Sequence, residues 1–345
     1  MKNIFERIYH KIMSVKVSIV IPTYNRKESL KKALESLFNQ TYLKDDYEIL
    51  VCDDYKSTDG TEEMVKELMK EAPCELRYLK VKSNCKGPAT ARNAGIENAR
   101  GEIIGFTDDD CIVSPNWIEK ALSHLCSMEI CGVRGITVPI ARKKELKGLK
   151  KLFYIVDTQD TREFLGRYDY YPTCNIFYRK EQLKENGGFD PRLYALEDAD
   201  IAWRLLEKGH KIIFSKNVLV YHETRYISLL KYLKSLKKQG LLALFIRKHP
   251  GFREKLALRF IALKTNIYPI FILLAASSYV VGWGIFFNVF TVVAILLYLW
   301  ARVITDTNIK MYPLRILAFI RYFLIDFISL FYTVKGAIRY RCFII

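Results

Sequence analysis

The sequence predicts an α/β fold, a mostly parallel sheet followed by C-terminal membrane helices, on three observations. Apolar β-branched runs alternate with helix-period segments up to about residue 140. Polar and acidic clusters end three of the runs, where such sheets bind their ligands. Finally, the 37 residues from Thr265 to Ala301 contain no Asp, Glu, Lys or Arg.

The first strand is Val17–Pro22 (VSIVIP), and it leads into a helix over Lys27–Asn39 with Leu30, Leu34, Leu37 and Phe38 on one face. Tyr47–Cys52 (YEILVC) is the next strand, followed by a helix from about Thr61 to Glu71. A strand over Leu76–Val81, a helix over Ala89–Ala99 and a strand over Glu102–Thr107 continue the rhythm. Ser114 then caps a helix over Pro115–Leu125, with proline at its first position. A later strand covers Val218–Tyr221. Helices on both faces of the sheet follow from this alternation. Thr23-Tyr24-Asn25, Asp53-Asp54 and Asp108-Asp109-Asp110 fall at strand ends.

With 345 residues, half of them hydrophobic, the chain is neither disordered, collagenous nor a disulfide framework. Its net charge is +17, but the excess is localised. From Tyr226 onward there are 17 Lys and Arg against three acids, a net of +14 in the most hydrophobic third. That basic surface suits anionic lipid better than nucleic acid. The eight cysteines form no C-x-x-C pair and no zinc spacing, so they are expected reduced and buried.

A single helix over the uncharged stretch would rise about 55 Å against a hydrocarbon core of roughly 30 Å. A hairpin of two short spans fits residues 265–304, at about 266–282 and 285–304, broken near Gly282-Trp283-Gly284. Arg259 and Lys264 precede it, Arg302, Lys310 and Arg315 follow it, and its turn is uncharged. Both ends, and everything before them, are therefore expected in the cytoplasm. Residues 314–345 read as an interfacial or membrane helix with a basic tail, since Arg321 and Asp326 interrupt the apolar run. Residues 226–264 read as basic amphipathic interfacial helices, although an ordinary surface helix fits their periodicity equally. Residues 1–16 form an amphipathic N-terminal helix lacking the apolar core of a signal peptide, and residues 17–225 form the chemical domain.

Three adjacent carboxylates at a strand end repel one another, and a divalent cation relieves that repulsion; oxygen ligands favour Mg²⁺ or Mn²⁺. A solvated acidic turn is the alternative. The stretch Lys86–Gly95 (KGPATARNAG) puts Arg92 on a helix, where it suits an anionic diphosphate. Glu197, Asp198 and Asp200 open another helix, favourable against its dipole, and Asp200 lies one turn from Arg204 as an ion pair.

These stretches together resemble family 2 of the glycosyltransferases. The matching pieces are VSIVIPTYNR (17–26), VCDDYKSTDGT (51–61), KGPATARNAG (86–95), EIIGFTDDDCIVSPNWIE (102–119), NGGFDPRLYALEDADIAWRLLEKGHKI (186–212) and VYH (220–222). They hold the family's order and spacing over about 210 residues. One departure is Tyr55-Lys56-Ser57, where the family usually has Gly-Ser after the paired Asp, so the loop beside the base differs.

The resemblance implies a GT-A, Rossmann-like domain, a UDP- or GDP-linked sugar donor, and Mn²⁺ or Mg²⁺. It implies that Pro22, Thr23, Tyr24 and Asn25 line the nucleoside pocket, and that Asp53 or Asp54 accepts a hydrogen bond from the base. Lys86, Arg92, Asp108, Asp109 and Glu197 complete the donor-binding set. Asp110, last of the D-x-D, is the main metal ligand, and His222 is a candidate additional metal or diphosphate ligand. Asp198 is the expected general base: in inverting transfer the acceptor hydroxyl must lose its proton as it attacks. A cation would stabilise the departing diphosphate.

The expected function is membrane-bound, metal-dependent, inverting transfer of a sugar to a polyprenyl phosphate or lipid-linked glycan. It takes place at the cytoplasmic face of the cell membrane, with no nucleic-acid partner. One alternative is a processive polysaccharide synthase, but the Q-x-x-R-W motif expected after the base is missing. A nucleotidyltransferase fits less well, because Pro-Thr-Tyr-Asn replaces the glycine-rich loop of such enzymes. A catalytically inactive membrane scaffold is the other alternative, opposed by the intact acids at 108–110 and 197–198.

Overall fold

The structure, a computed structural model, describes residues 16–82, 87–140, 153–157, 171–256 and 312–344, with isolated positions 270, 277 and 289. It divides into two units, Met1–Ala141 with Thr158–Thr224, and Arg142–Asp157 with Arg225–Ile345.

In the first unit the strongly apolar runs become strands, buried on both faces except for the edge strand Glu75–Val81, which is partly exposed. They are β1 (Val17–Thr23), β2 (Tyr47–Asp54), β3 (Glu75–Val81) and β4 (Ile103–Phe106), with α1 (Lys27–Phe38), α2 (Thr61–Leu68) and α3 (Ala89–Asn98) between them. Successive residues serve opposite faces. Ile19 and Ile49 join one apolar cluster with Trp117 and Phe177; Val20 and Leu50 join the other with Phe106 and Tyr178. Next come β5 (Cys111–Val113), α4 (Trp117–His124), β6 (Ile130–Ile140), β8 (Ile176–Arg179), α5 (Lys180–Glu185), α6 (Glu197–Glu207) and β9 (Lys211–Glu223).

The strand order is β3-β2-β1-β4-β8-β6-β9-β5. Four of its seven pairings are parallel, so the mostly parallel sheet is observed. Beside β4 the direction reverses: β8 runs antiparallel to β4 and β6, and β5 runs antiparallel to β9. The short strands β5 and β8 were not legible as periodic runs. The helix expected from Pro115 begins at Trp117 instead, because Cys111–Val113 are drawn into the sheet and Ser114 accepts from the Trp117 amide at 3.0 Å. His222 lies within β9 rather than after its end.

The second unit begins with β7 (Tyr154–Asp157), which pairs antiparallel with β10 (Arg225–Ser228). The helices expected from Tyr226 therefore begin later, at Leu229. The chain is strand to Ser228, then α7 (Leu229–Ser235), a 3₁₀ segment Leu236–Gly240, α8 (Leu241–Lys248) and a 3₁₀ turn Pro250–Lys255. Lys231, Lys234, Lys237 and Lys238 stay exposed while Leu236 is buried. The last helix, α9 (Tyr312–Arg339), passes so close to the 3₁₀ segment that a Cβ on Gly336 would sit 2.3 Å from the Gly240 carbonyl oxygen.

The buried side of α9 is mixed, with Ile325 and Leu330 beside polar residues. Asp326, Ser329 and Thr333 are buried, whereas Ile320, Leu324, Phe331, Val334 and Ile338 are exposed, Ile338 by 74%. No described helix is long and apolar enough to cross a membrane. The charged residues of α9 are Arg315, Arg321, Asp326, Lys335 and Arg339. The hairpin expected over 265–304 lies outside the described residues apart from 270, 277 and 289, and residues 1–15 lie outside them too. Seven cysteines are described, all as thiols; Cys126 is exposed, contrary to expectation, and the other six are buried.

Candidate active site

The parallel register aligns the carboxyl ends of β1 and β2, with Thr23 opposite Asp53. After β4 the chain leaves the sheet at Thr107 and delivers the three acids beside Thr23. A cavity of about 550 Å³ opens there, lined by Pro22, Thr23, Tyr24 and Arg26 from the first loop, Asp54 and Lys56 from the second, and Arg92, Asp108 and Asp109. Tyr24 is half exposed at this site, a ring available for stacking.

Of the two acids ending β2, Asp53 is buried and internally satisfied. Its oxygens accept from Ser57 Oγ and, at 2.8 Å, from the Tyr78 hydroxyl. Burial raises its pKa against those hydrogen bonds. Asp54 is the one that lines the cavity. Asn25 does not line it: its side chain accepts from the Thr58 amide at 2.8 Å and its own amide donates to Ser57 Oγ at 3.2 Å. Asn25 thus fixes the 55–59 loop, in the left-handed conformation that asparagine tolerates (φ 50°). Lys86 lies outside the described residues.

The three central acids have different surroundings. Asp109 is buried, accepting from Thr23 Oγ1 at 2.8 Å and from Arg26 Nη1 at 2.7 Å. Burial pushes its carboxyl up to about 6 even though the Arg26 guanidinium pulls the other way. Asp108 lines the cavity and accepts from Arg92 Nη2 at 2.9 Å. Asp110 turns towards β9, where the β5–β9 pairing sets Cys111 opposite His222. His222 Nε2 lies 3.3 Å from Asp110 Oδ1, and both residues are buried. Ligand atoms of Asp110, Cys111 and His222 lie within 4.8 Å of one another. The carboxylate fits Mn²⁺ or Mg²⁺ and the imidazole suits Mn²⁺ better than Mg²⁺, whereas burial pushes the Cys111 thiol well up and keeps it a poor ligand for a hard ion.

Arg92 is the strut of the site. It is buried, and its two terminal nitrogens hold Asp108 at 2.9 Å and Glu197 Oε1 at 2.8 Å, with the guanidinium 5.7 Å from the Phe189 ring centre. It therefore ties Asp108 to the helix that carries Asp198. Asp198 is half-buried, and Oδ1 accepts from the Ala199 amide at 2.8 Å. Burial, then the adjacent Glu197 charge, push its carboxyl up to about 7 against the pull of Arg92. Asp200 and Arg204 form the expected ion pair at 2.9 Å.

Sequence reasoning missed two positioning residues. Arg26 ended the first matching stretch, yet nothing local says that it reaches Asp109. Asn93 clamps the Phe189 backbone in both directions, donating to its carbonyl and accepting from its amide, each at 2.8 Å. The turn this holds needs glycine at 188, where φ is 65° and a Cβ would meet Asn93 Oδ1 at 2.5 Å.

A family model described as Glycosyl transferase family 2 matches residues 18–187. The chain is 30% identical over 211 residues to Glycosyltransferase AglE of Haloferax volcanii, covering 61% of this chain and 67% of that protein. It is 27% identical over 242 residues to a Methanococcus voltae protein named dolichyl N-acetyl-alpha-D-glucosaminyl phosphate 3-beta-D-2,3-diacetamido-2,3-dideoxy-beta-D-glucuronosyltransferase, covering 67% of this chain and 74% of that one. Among solved structures, the mannosyltransferase PcManGT from Pyrobaculum calidifontis, in complex with GDP-Man and Mn²⁺, aligns over 94% of this chain and 87% of its own with a TM-score of 0.55. At 19% identity that likeness shows the fold alone, a GT-A-like curled sheet.

Proposed function

The chain belongs to glycosyl transferase family 2 and is a nucleotide-sugar-dependent glycosyltransferase; from that premise we propose that it acts with a divalent cation on a lipid-linked acceptor at a membrane. The observation that carries the catalytic part is the convergence of Asp54, Arg92, Asp108 and Asp109 around one cavity, with Asp110 and His222 paired behind it. Tyr24 and Asp54 hold the nucleoside, and Asp108 steadies the ribose or diphosphate side. Asp110 and His222 are the residues that would hold Mn²⁺ or Mg²⁺, which when bound offsets negative charge on the leaving diphosphate. Asp198 takes the proton of the attacking hydroxyl, and its raised pKa suits that role near neutrality. Transfer inverts the anomeric centre.

Two observations support the acceptor class. The Methanococcus relative is named for transfer to a dolichyl phosphate sugar. The exposed apolar side of α9 carries Lys335 and Arg339 near its end, a pattern suited to lying in an anionic headgroup layer. We read the chain as an integral protein of the cell membrane through residues 265–304, with its catalytic domain cytoplasmic, a polyprenyl phosphate or lipid-linked glycan as acceptor, and no nucleic-acid partner.

A screen of UDP- and GDP-sugars against polyprenyl phosphate in anionic liposomes, with Mn²⁺ or with chelator, tests this. Transfer to lipid that chelator abolishes is expected. Transfer unaffected by chelator removes the cation, and turnover confined to soluble acceptors removes the lipid.

A further inference from the structure

The two oxygens of Asp110 face different groups. Oδ1 looks at His222 Nε2 and Oδ2 at Arg26 Nη1, each at 3.3 Å, while the same arginine nitrogen lies 2.7 Å from Asp109. A divalent ion bound by Asp110 must come within about 2.0–2.6 Å of its oxygen. A guanidinium at hydrogen-bond distance from the same carboxylate is then pressed against a like charge.

The two arginines of the site are built differently. Arg92 is sealed, with 4% of its side chain exposed and two nitrogens on two carboxylates. Arg26 has 41% of its side chain exposed, grips both carboxylates through one nitrogen, and lines the cavity where a diphosphate would lie. Asp109 does not depend on it alone, since Thr23 also donates to Asp109.

We propose that Arg26 is the releasable counter-charge of the Asp109–Asp110 pair, and that its release makes cation and nucleotide diphosphate bind cooperatively. A cation arriving alone must push the guanidinium off Asp110 with no anion to receive it. A diphosphate supplies that anion: Arg26 swings to the phosphate oxygens, Asp110 is freed for the cation, and each ligand strengthens the other's binding. Arg26 is thus a positioning residue that suppresses cation binding until the donor is present. The inference rests on the cation-dependent reading above and adds a linkage that the reading does not contain.

The test is calorimetric titration of Mn²⁺ into the full chain and Arg26→Gln, alone and with saturating UDP or GDP. Alone, Mn²⁺ is expected to bind the variant about tenfold tighter than the unaltered protein, and the gain from nucleotide is expected to shrink by a similar factor. A variant that binds Mn²⁺ alone no tighter, with the nucleotide gain intact, overturns the proposal while leaving the cation reading standing. Absence of Mn²⁺ binding to either protein with either nucleotide overturns both. Should Arg26→Gln not fold, Arg26→Lys serves. Its shorter reach should loosen the grip on Asp110 and tighten Mn²⁺ binding a few-fold, and unchanged binding there counts against the proposal.

Discussion

In the proposed reaction Asp198 and Asp110 do different work, and their surroundings differ accordingly. Asp198 sits against Glu197 with its carboxyl pushed up to about 7, so it is protonated in acid and ionised above neutrality. A base must be ionised to accept a proton, so kcat/KM should rise with pH through about 7 and fall roughly tenfold per unit below it. A flat profile between about pH 5.5 and 8 would remove Asp198 from that role. Asp198→Asn should cut transfer by about a hundredfold or more while donor affinity stays within about twofold, read by calorimetry beside single-turnover rates. Asp110→Ala should do the opposite, losing the cation-dependent part of donor binding; equal donor affinity with and without Mn²⁺ in the unaltered protein would contradict it. The acids themselves were readable in sequence because runs of like charge at strand ends are conspicuous. Their partners were not: Arg26 meets Asp109 across 83 positions and Arg92 meets Glu197 across 105.

At the level of elements, the site depends on how close helices come to strands. On α3, a Cβ on Gly95 would lie 2.4 Å from a methyl carbon of buried Val20 in β1. Gly95→Ala should therefore destabilise the domain by about 1–3 kcal/mol despite alanine's better helix propensity, visible as a lowered denaturation midpoint. Asn93, two residues earlier, holds the turn that leads towards α6. Asn93→Ala should remove about 1–3 kcal/mol of hydrogen bonding and loosen Asp198, lowering kcat more than donor affinity. If kcat and donor affinity fell together, the turn would be supporting the whole cavity rather than the base. The parallel strands announced themselves by continuous β-branched burial. The three-residue β5 and four-residue β8 did not, since strands that short carry no readable period. Yet β5 is the strand that sets Asp110 beside His222.

Across the whole molecule, the net charge of +14 from Tyr226 onward matches a second unit whose lysines are exposed on α7 and whose last helix turns apolar residues outward. A soluble helix buries most of its apolar stripe; α9 buries Ile325 and Leu330 beside Asp326 and Thr333 but leaves Phe331 and Ile338 exposed. Replacing Phe331 and Ile338 together by Asp should lower transfer to a liposome-embedded polyprenyl phosphate several-fold, while a short-chain soluble analogue is used as before. Equal loss on both acceptors would mean the helix serves folding rather than the bilayer.

By itself the sequence determined the alternating α/β order, the acids that gather at the strand ends, and the uneven charge along the chain. All three are written in local composition and period. Tertiary structure alone decided which acid does what. It gave Asp53 to Ser57 and Tyr78, Asp109 to Thr23 and Arg26, and Asp110 to His222, and set Asp54, Asp108 and Asp109 on the cavity wall. A carboxylate's role follows from the burial and the counter-charges around it, and most of those come from residues far apart in sequence that only the folded sheet brings into contact.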